Sequence, residues 1–236
     1  MSPLSSSIID SIDSTVDVPV EKDEMVEKAI RQCVEELPTV SRFLSSPEGY
    51  DHYASLDIPA LNPIQIDLVL QGLLHTPRRY TSNLSTYVSV LLQKSYDAGN
   101  NGFTLHTQNI LLDDLCRFIH GTEQKRLNMT VYGDTSNFTG KSSQWCSVRH
   151  EGDAEGAYFE DASNNEIFIS GIITVESFYT PPLKDSMNNR FMTTNQETFT
   201  FVKNTLRARI VNEKNSVFLV DPAGKVLDQY SEQEEV

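Results

Sequence analysis

The first half of the chain carries apolar residues at helical spacing. Between Lys22 and Leu37 they share one side, at Met25, Val26, Ala29, Ile30, Cys33, Val34 and Leu37. Such a stripe predicts an amphipathic helix within residues 22–44, ended near Pro38. The Ser/Asp-rich residues 1–21 are predicted to be a disordered tail. The segment 45–58 contains SSPEGYDHY and is predicted to be a linker.

Three further helices are predicted before residue 121. The first spans about 62–75, where Asn62 caps the exposed amides and Pro63 suits the first turn, and its apolar residues surround most of the helix. A second spans about 84–98 with Gly99 just past its end, and a third covers NILLDDLCRFIH, residues 109–120. Residues 45–126 are therefore expected to form a helical part, with GFTLHT as a short strand candidate.

Beyond Leu127 the pattern becomes a repeat of 19 residues, aligned on Gly133, Gly152 and Gly171. The positions two and four residues before each glycine share one strand face. Five of these six positions are apolar, the full set being Met129, Val131, Val148, His150, Ile167 and Ile169. A fixed period near 20 with one strand and turn per unit is typical of a solenoid. A third unit, after a four-residue insertion, would place Arg190 and Met192 in the strand positions.

The stretch GDAEGAYFEDASNNEIFISG, residues 152–171, resembles a known repeat. It is similar to the Gly-rich right-handed β-helix repeat found in the glutamate synthase C-terminal domain and in one of the subunits of formylmethanofuran dehydrogenase. The likeness covers residues 127–171, with Asn164 and Asn165 where those families have a glycine pair. Asn suits that position because it tolerates positive φ. The resemblance implies a β-helix that serves as a scaffold rather than as a catalytic unit.

The C-terminal segment predicts a helix from about residue 196 to 208, capped by Thr194 or Asn195. A β-hairpin follows in SVFLVDPAGKVLDQ, turning at residues 221–224. The predicted fold class is α+β: an N-terminal helical part, a short right-handed β-helix over residues 127–194, and a helix with β-hairpin over 195–230. An acidic tail, 231–236, ends the chain.

Charge restricts the partners. Of the net charge of −14, residues 1–24 hold −5 and residues 228–236 hold −4, which leaves −5 for the rest. The chain shows no Lys/Arg stripe, which argues against a nucleic-acid partner. No run approaches the roughly 18 apolar residues of a membrane helix, so no membrane association is predicted. Three scattered cysteines do not make a disulfide framework, and a cytoplasmic location is expected.

Two Cys-x-x-x-His pairs are the main candidates for chemistry. Cys116 with His120 and Cys146 with His150 supply the thiolates and imidazoles of a tetrahedral zinc site, if the pairs converge. The alternative is that the cysteines are core residues and the histidines are satisfied locally.

Other motifs are weaker. TGKS at 139–142 resembles the end of a phosphate-binding loop but lacks its first glycine and the helix that should follow. An acidic run at Glu151, Asp153, Glu155, Glu160, Asp161 and Glu166 could hold calcium or be a solvated rim. Aromatic residues, Tyr132, Trp145, Tyr158, Phe159, Phe168, Phe178 and Tyr179, could bind a partner or a sugar, or pack under other elements.

No assembled catalytic motif is present in the sequence, so the leading hypothesis is a non-catalytic scaffold or protein-interaction protein. The alternatives are an accessory subunit of a redox or amidotransfer enzyme complex, which the resemblance implies, and a zinc-binding module. The helical stripe within residues 22–37 either docks on the chain itself or binds a partner or a second copy.

Overall fold

The computed structural model describes residues 23–40, 47–74, 81–107, 112–113, 115–136, 139–156, 159–174, 183, 185–208 and 213–232. The predicted tail 1–21, and residues 233–236 of the acidic tail, lie outside these ranges. The helices are α1 (Glu24–Val40), α2 (Pro47–Ser55), α3 (Pro63–Leu73), α4 (Thr81–Asp97) and α5 (Gln196–Arg207). The strands are β1 (Gly102–His106), β2 (Leu127–Tyr132), β3 (Cys146–Glu151), β4 (Ala154–Glu155), β5 (Glu166–Ile169), β6 (Ile173–Thr174), β7 (Arg190–Thr193), β8 (Ser216–Val220) and β9 (Val226–Ser231).

Seven strands form one sheet in the order β1-β2-β3-β5-β7-β8-β9. Neighbouring strands are parallel from β1 to β8, and β9 returns antiparallel to β8 as the predicted hairpin. The short strands β4 and β6 form a separate parallel pair. Helix α3 packs beside β1, and α5 packs against β7 and β8.

The predicted fold class is wrong. Instead of a helical part followed by a short β-helix, the structure has an α/β-like arrangement in which one mostly parallel sheet is flanked by helices. The physical reason is that the repeat does not stand alone. Strand β1, from the supposed helical part, pairs with β2, and the hairpin extends the same sheet at the other side. Helix and sheet residues share one continuous hydrophobic core.

The strand register within the repeat is confirmed. Val131 is the partner of His150, and His150 is the partner of Ile169. The third unit is shifted by one residue from the expectation, because Ile167 and Ile169 pair with Phe191 and Thr193. Arg190 and Met192 therefore lie on the opposite face, since a shift of one residue exchanges the faces of a strand.

Close backbone approach explains the repeated glycines. A Cβ on Gly152 would lie 2.6 Å from the carbonyl carbon of Gly133, and a Cβ on Gly171 would lie 2.5 Å from that of Gly152. Real Cβ atoms do not come so close to backbone. Gly152 and Gly171 are thus required by the stacking of one turn on the next.

Buried asparagines join successive units on their inner side. Asn165 Oδ1 accepts from the N–H of Cys146 at 2.8 Å, and Asn189 Oδ1 accepts from that of Asn165 at 2.9 Å. Asn215 Oδ1 accepts from the N–H of Asn189 at 3.0 Å. Glu232 ends the series by accepting from the N–H of Asn215 at 2.9 Å. These bonds satisfy backbone amides in a buried region, where an unpaired amide is costly.

Two local predictions fail. Residues 47–55, predicted as linker, form α2, which buries Tyr53 completely. The predicted helix 109–120 is not helical where it is described: Cys116 and Phe118 have φ values of 64° and 58°, in the left-handed region. This segment instead runs beside the next unit, donating from the Phe118 N–H to the Lys141 carbonyl. Tertiary hydrogen bonding overrides its amphipathic pattern.

Helix α1 docks on its own chain. Val26, Ala29, Ile30 and Cys33 are buried, and the helix packs against α3 and α4. The Tyr87 hydroxyl, from α4, donates to the Ala29 carbonyl at 2.8 Å. These four residues of the stripe are therefore covered in cis, whereas Met25 is 38% exposed. Binding of a partner through this helix stays a prediction.

The predicted caps are confirmed at α3 and α5. Asn62 and Gln65 form a reciprocal capping box at the start of α3, where Pro63 takes the first position. Asn195 accepts from the amides of Glu197 and Thr198 at the start of α5. Helix α3 is less buried than expected, since Ile64 is 74% exposed. Within the described ranges, no helix has both the length and the apolar character needed to cross a bilayer.

Candidate functional site: the outer face of the sheet

An open groove of about 860 Å³ lies on the face of the sheet opposite the core. Its floor is a row of side chains from successive parallel strands, aligned by the register: Thr104, Thr130, Arg149, Phe168 and Met192. The β8–β9 turn, residues 221–224, lines the groove as well. Because the strands are parallel and in register, equivalent side chains stand about 4.8 Å apart across the floor.

The groove has two chemically different ends. The end on β1 and β2 carries small polar side chains, with Thr104, Asn128 and Thr130 in its lining. The other end carries apolar groups from β5, β7 and the hairpin: Phe168, Met192, Val220, Pro222 and Ala223. We call these the polar end and the apolar end.

Arginine side chains lie over aromatic rings across this face. The guanidinium of Arg149 lies over the Phe168 ring at 4.4 Å, and that of Arg190 over Phe218 at 4.9 Å. Arg126 lies over Trp145 at 5.4 Å. A guanidinium stacked in this way keeps its N–H donors at the rim of its plane, where a ligand can reach them.

Charged side chains of both signs lie in and beside the groove. Four of them line it, Arg149, Glu151, Glu166 and Asp221, and one positive and three negative charges sum to −2. Arg149 pairs with Glu151, and Arg126, which lies outside the lining, is 3.9 Å from Glu166.

The four predicted zinc ligands are not gathered at one point. His150 is buried on the inner face and its Nε2 lies 2.8 Å from the Gly133 carbonyl, to which it donates. Cys146 is four residues earlier on the same strand, about 13 Å away along β3. His120 keeps part of its surface exposed, whereas Cys116 is buried with its Sγ 3.2 Å from the sulfur of Met129.

The cysteines have the surroundings of core residues. Burial raises the pKa of Cys146 to about 12. Burial and the nearby Cys146 raise the pKa of Cys116 well above its usual value, and burial raises that of Cys33 as well. Their geometry fits core packing, which the sequence had left as the alternative.

The acidic run and the TGKS segment meet each other. Lys141 Nζ lies 2.9 Å from Glu160 and 3.7 Å from Asp161, so the lysine is held by carboxylates. The carboxylate oxygens of Glu160, Asp161 and Asp185 lie within 4.8 Å of one another. The ammonium group of Lys141 therefore lies against two of the three carboxylates, and one positive with three negative charges leaves the cluster at −2.

The predicted aromatic residues divide between the two faces. Tyr132 is 45% exposed and stacks on His106, with ring centroids 5.2 Å apart. Phe168 belongs to the groove, and Phe159 is fully buried. Tyr158, Phe178 and Tyr179 lie outside the described residues.

The outward-facing positions of the 19-residue repeat carry a signal for the groove, whereas the predicted strands were defined by the inward-facing positions alone. The floor residues stand one position out of phase with the buried ones, so the same 19-residue register aligns Thr130, Arg149 and Phe168. Reading the outward positions of the repeat identifies these central floor residues. The contribution of β1 and of the hairpin depends on long-range pairing.

No protein-family model, curated protein or solved structure matches this chain, so the resemblance of residues 127–171 to the β-helix repeat stays a prediction.

Proposed function

We propose that this chain is a non-catalytic protein-interaction protein that receives its partner in the groove on the outer face of the sheet. The observation that carries the proposal is the groove itself, whose floor is built from successive strands of a parallel sheet. Binding sites held by regular elements keep their geometry without a bound ligand.

The composition of the face supports a protein partner. Arg, Phe, Tyr and Met are enriched at protein–protein interfaces, and this face presents Arg149, Phe168, Met192 and Arg190, with Tyr132 beside them. The groove's two glutamates each lie beside an arginine, Glu151 beside Arg149 and Glu166 beside Arg126.

A photo-cross-linking residue at Thr130 tests the proposal in the cells from which the chain comes. The matched control carries the same residue at Asp51, which is exposed on α2, a helix that contributes no residue to the groove lining. We expect a covalent adduct to a second polypeptide from position 130 and none from position 51. Equal labelling at both positions, or none at position 130, contradicts a partner in the groove.

The identity of the cross-linked chain also separates the scaffold from the accessory-subunit alternative. A component of a redox or amidotransfer enzyme would support the role that the repeat's resemblance implies. Any other protein would favour a general interaction role.

A further inference from the structure

We propose that the groove binds one extended segment of the partner, lying across the strands, with an acidic side chain over Arg149 and an apolar side chain in the apolar end. This inference rests on the proposed function and specifies the chemistry of the partner at the same site. Three properties of the face support it: its shape, the polarity of its ends, and the spacing between them.

The shape of the floor suits a single segment of chain. The six strands from β1 to β8 span five strand spacings, about 24 Å, and four residues of strand give about 13 Å of depth. The floor is therefore a strip about twice as long as it is wide. Stretched across about 24 Å at about 3.1 Å per residue, such a segment has about eight residues.

The difference in polarity between the two ends determines which side chains of the segment lie at each end. Met192, Pro222 and Ala223 can bury an apolar side chain, while Thr104, Asn128 and Thr130 offer hydroxyl and amide groups for backbone hydrogen bonds. Burying an apolar group gains about 25 cal/mol for each Å² removed from water. The partner's apolar side chain is therefore placed at the hairpin end, and its more polar residues lie over β1 and β2.

Arg149 supplies the charged contact. Its side chain is 57% exposed, it is fixed over Phe168, and Glu151 is its one ion-pair partner among the described residues. An arginine has five N–H donors, so a single carboxylate leaves donors for a second. A partner carboxylate matches them as a charge-assisted pair, which is stronger than a neutral hydrogen bond.

The distance between the two contacts fixes a spacing in the partner. From Arg149 on β3 to Met192 on β7 there are two strand spacings, about 10 Å, because β5 lies between them. A chain in the polyproline II conformation rises about 3.1 Å per residue with three residues per turn, so side chains three positions apart point to the same side and span that distance. The segment is thus expected to carry an acidic residue and, three positions away, a large apolar one.

Panning a library of random linear peptides on the immobilised full chain tests the inference. We expect enriched peptides with an acidic and an apolar residue three positions apart, binding in about the micromolar range. Met192→Lys and Arg149→Gln should each weaken the binding of the best peptide about tenfold or more, equivalent to roughly 1.4 kcal/mol. The control variant Thr200→Lys, at an exposed position of α5 outside the groove lining, should bind the peptide unchanged.

Charge reversal gives a second, independent measurement. If Arg149 reads a carboxylate, Arg149→Glu should shift the enriched residue from acidic to basic at the same position. Comparing the melting temperatures of the variants with that of the control shows that a loss of binding is not a loss of fold.

The outcomes separate the two proposals. Peptides that require the groove but lack the acid–apolar spacing would overturn this inference and leave the proposed function standing. Peptides that bind equally to Met192→Lys, together with no cross-link at position 130, would overturn both. Groove-dependent binding of a neutral oligosaccharide, with no peptide enriched, would also overturn this inference.

Discussion

Two adjacent asparagines, Asn164 and Asn165, show how different the demands on neighbouring residues are. Asn164 has a φ of 59°, as expected for a position where similar repeats carry glycine. Asn165 is fixed by its side chain instead. Its amide donates to the Ser143 carbonyl at 3.1 Å and its oxygen accepts from the Cys146 N–H. The sequence alone predicts one role for both residues, because the tolerance of asparagine for positive φ follows from its residue type. A buried hydrogen-bond partner is known only once the fold is known.

Replacing each asparagine by glycine separates these roles. Asn164→Gly keeps the left-handed backbone and should change the free energy of unfolding by less than about 1 kcal/mol. Asn165→Gly leaves the buried N–H of Cys146 without its acceptor and should cost about 2–4 kcal/mol. Urea unfolding of the two variants measures both values. Equal losses would contradict the distinct roles.

His150 makes stability depend on pH. Burial lowers its pKa below 6.5, although the Gly133 carbonyl and nearby carboxylates act in the opposite direction. Above pH 6.5 the imidazole is neutral in both the folded and the unfolded state and contributes nothing to the pH dependence. As the pH falls below 6.5 the unfolded state takes up the proton first, so the folded state loses stability until the pH reaches the folded pKa.

Chemical unfolding at a series of pH values from about 8 to about 5 detects this loss. His150→Gln should reduce the slope below pH 6.5, because glutamine does not titrate. The decline should not vanish, since burial also lowers the pKa of His120. An unchanged slope in the variant would show that His150 is not the group responsible.

At the scale of the element, the glycines determine how closely successive turns stack. Gly152→Ala places a methyl group against the backbone of Gly133, with no flexible side chain to move aside. Overpacking of this kind should destabilise the protein by about 1–3 kcal/mol or more. Gly102→Ala is the matched control, since nothing lies within 4 Å of its added Cβ. Thermal unfolding should show a lower melting temperature for the first variant and little change for the second.

Elements were predictable from sequence where local chemistry decides them. The capping residues Asn62 and Asn195 and the turn at 221–224 depend on neighbours within a few positions, and all were found. The segment 109–120 was misassigned because inward-facing residues of a layered segment, such as Leu112, Leu115 and Ile119, also fall at helical spacing. The predicted register of the unit after β5 was one residue out. The length of the insertion before that unit, and not its composition, determines which face of the sheet each residue takes.

At the scale of the molecule, one core joins the helices to the sheet. Ile30 of α1, Leu70 of α3 and Leu91 of α4 belong to the same cluster as Val148 and Phe191 of the sheet. Strand pairing between β1 and β2 makes the connection possible. Sequence periodicity could not show it, because β1 has no repeat of its own and its partner lies more than 20 residues along the chain.

The core predicts unequal effects of two substitutions on α1. Ile30 is 4% exposed, and Ile30→Ala should cost about 2–5 kcal/mol. Met25, 38% exposed on the same helix, should tolerate Met25→Ala with a loss below about 1 kcal/mol. Denaturant unfolding of the two variants makes the comparison. Similar small losses would contradict docking of α1 in cis.

The candidate site could be predicted only in part. Its central floor residues follow from the repeat register, as the outward neighbours of buried positions. Its apolar end needs Pro222 and Val220 from the hairpin, which reach the groove because β8 pairs with β7. The predicted zinc ligands failed to converge for the same reason: spacing along the chain does not determine distance across the fold.

Helix α3 covers the edge strand β1 at His106. The Asp67 carboxylate accepts from the His106 N–H at 2.8 Å, and the Gln71 amide donates to the His106 carbonyl. Unpaired strand borders invite other chains to add on, and a fibre needs two such borders for each copy. The opposite border is β9, whose residues are mostly exposed. If two copies paired through β9, each remaining edge of the combined sheet would be a β1 edge, at which α3 side chains already bond His106. Assembly would then stop at a dimer.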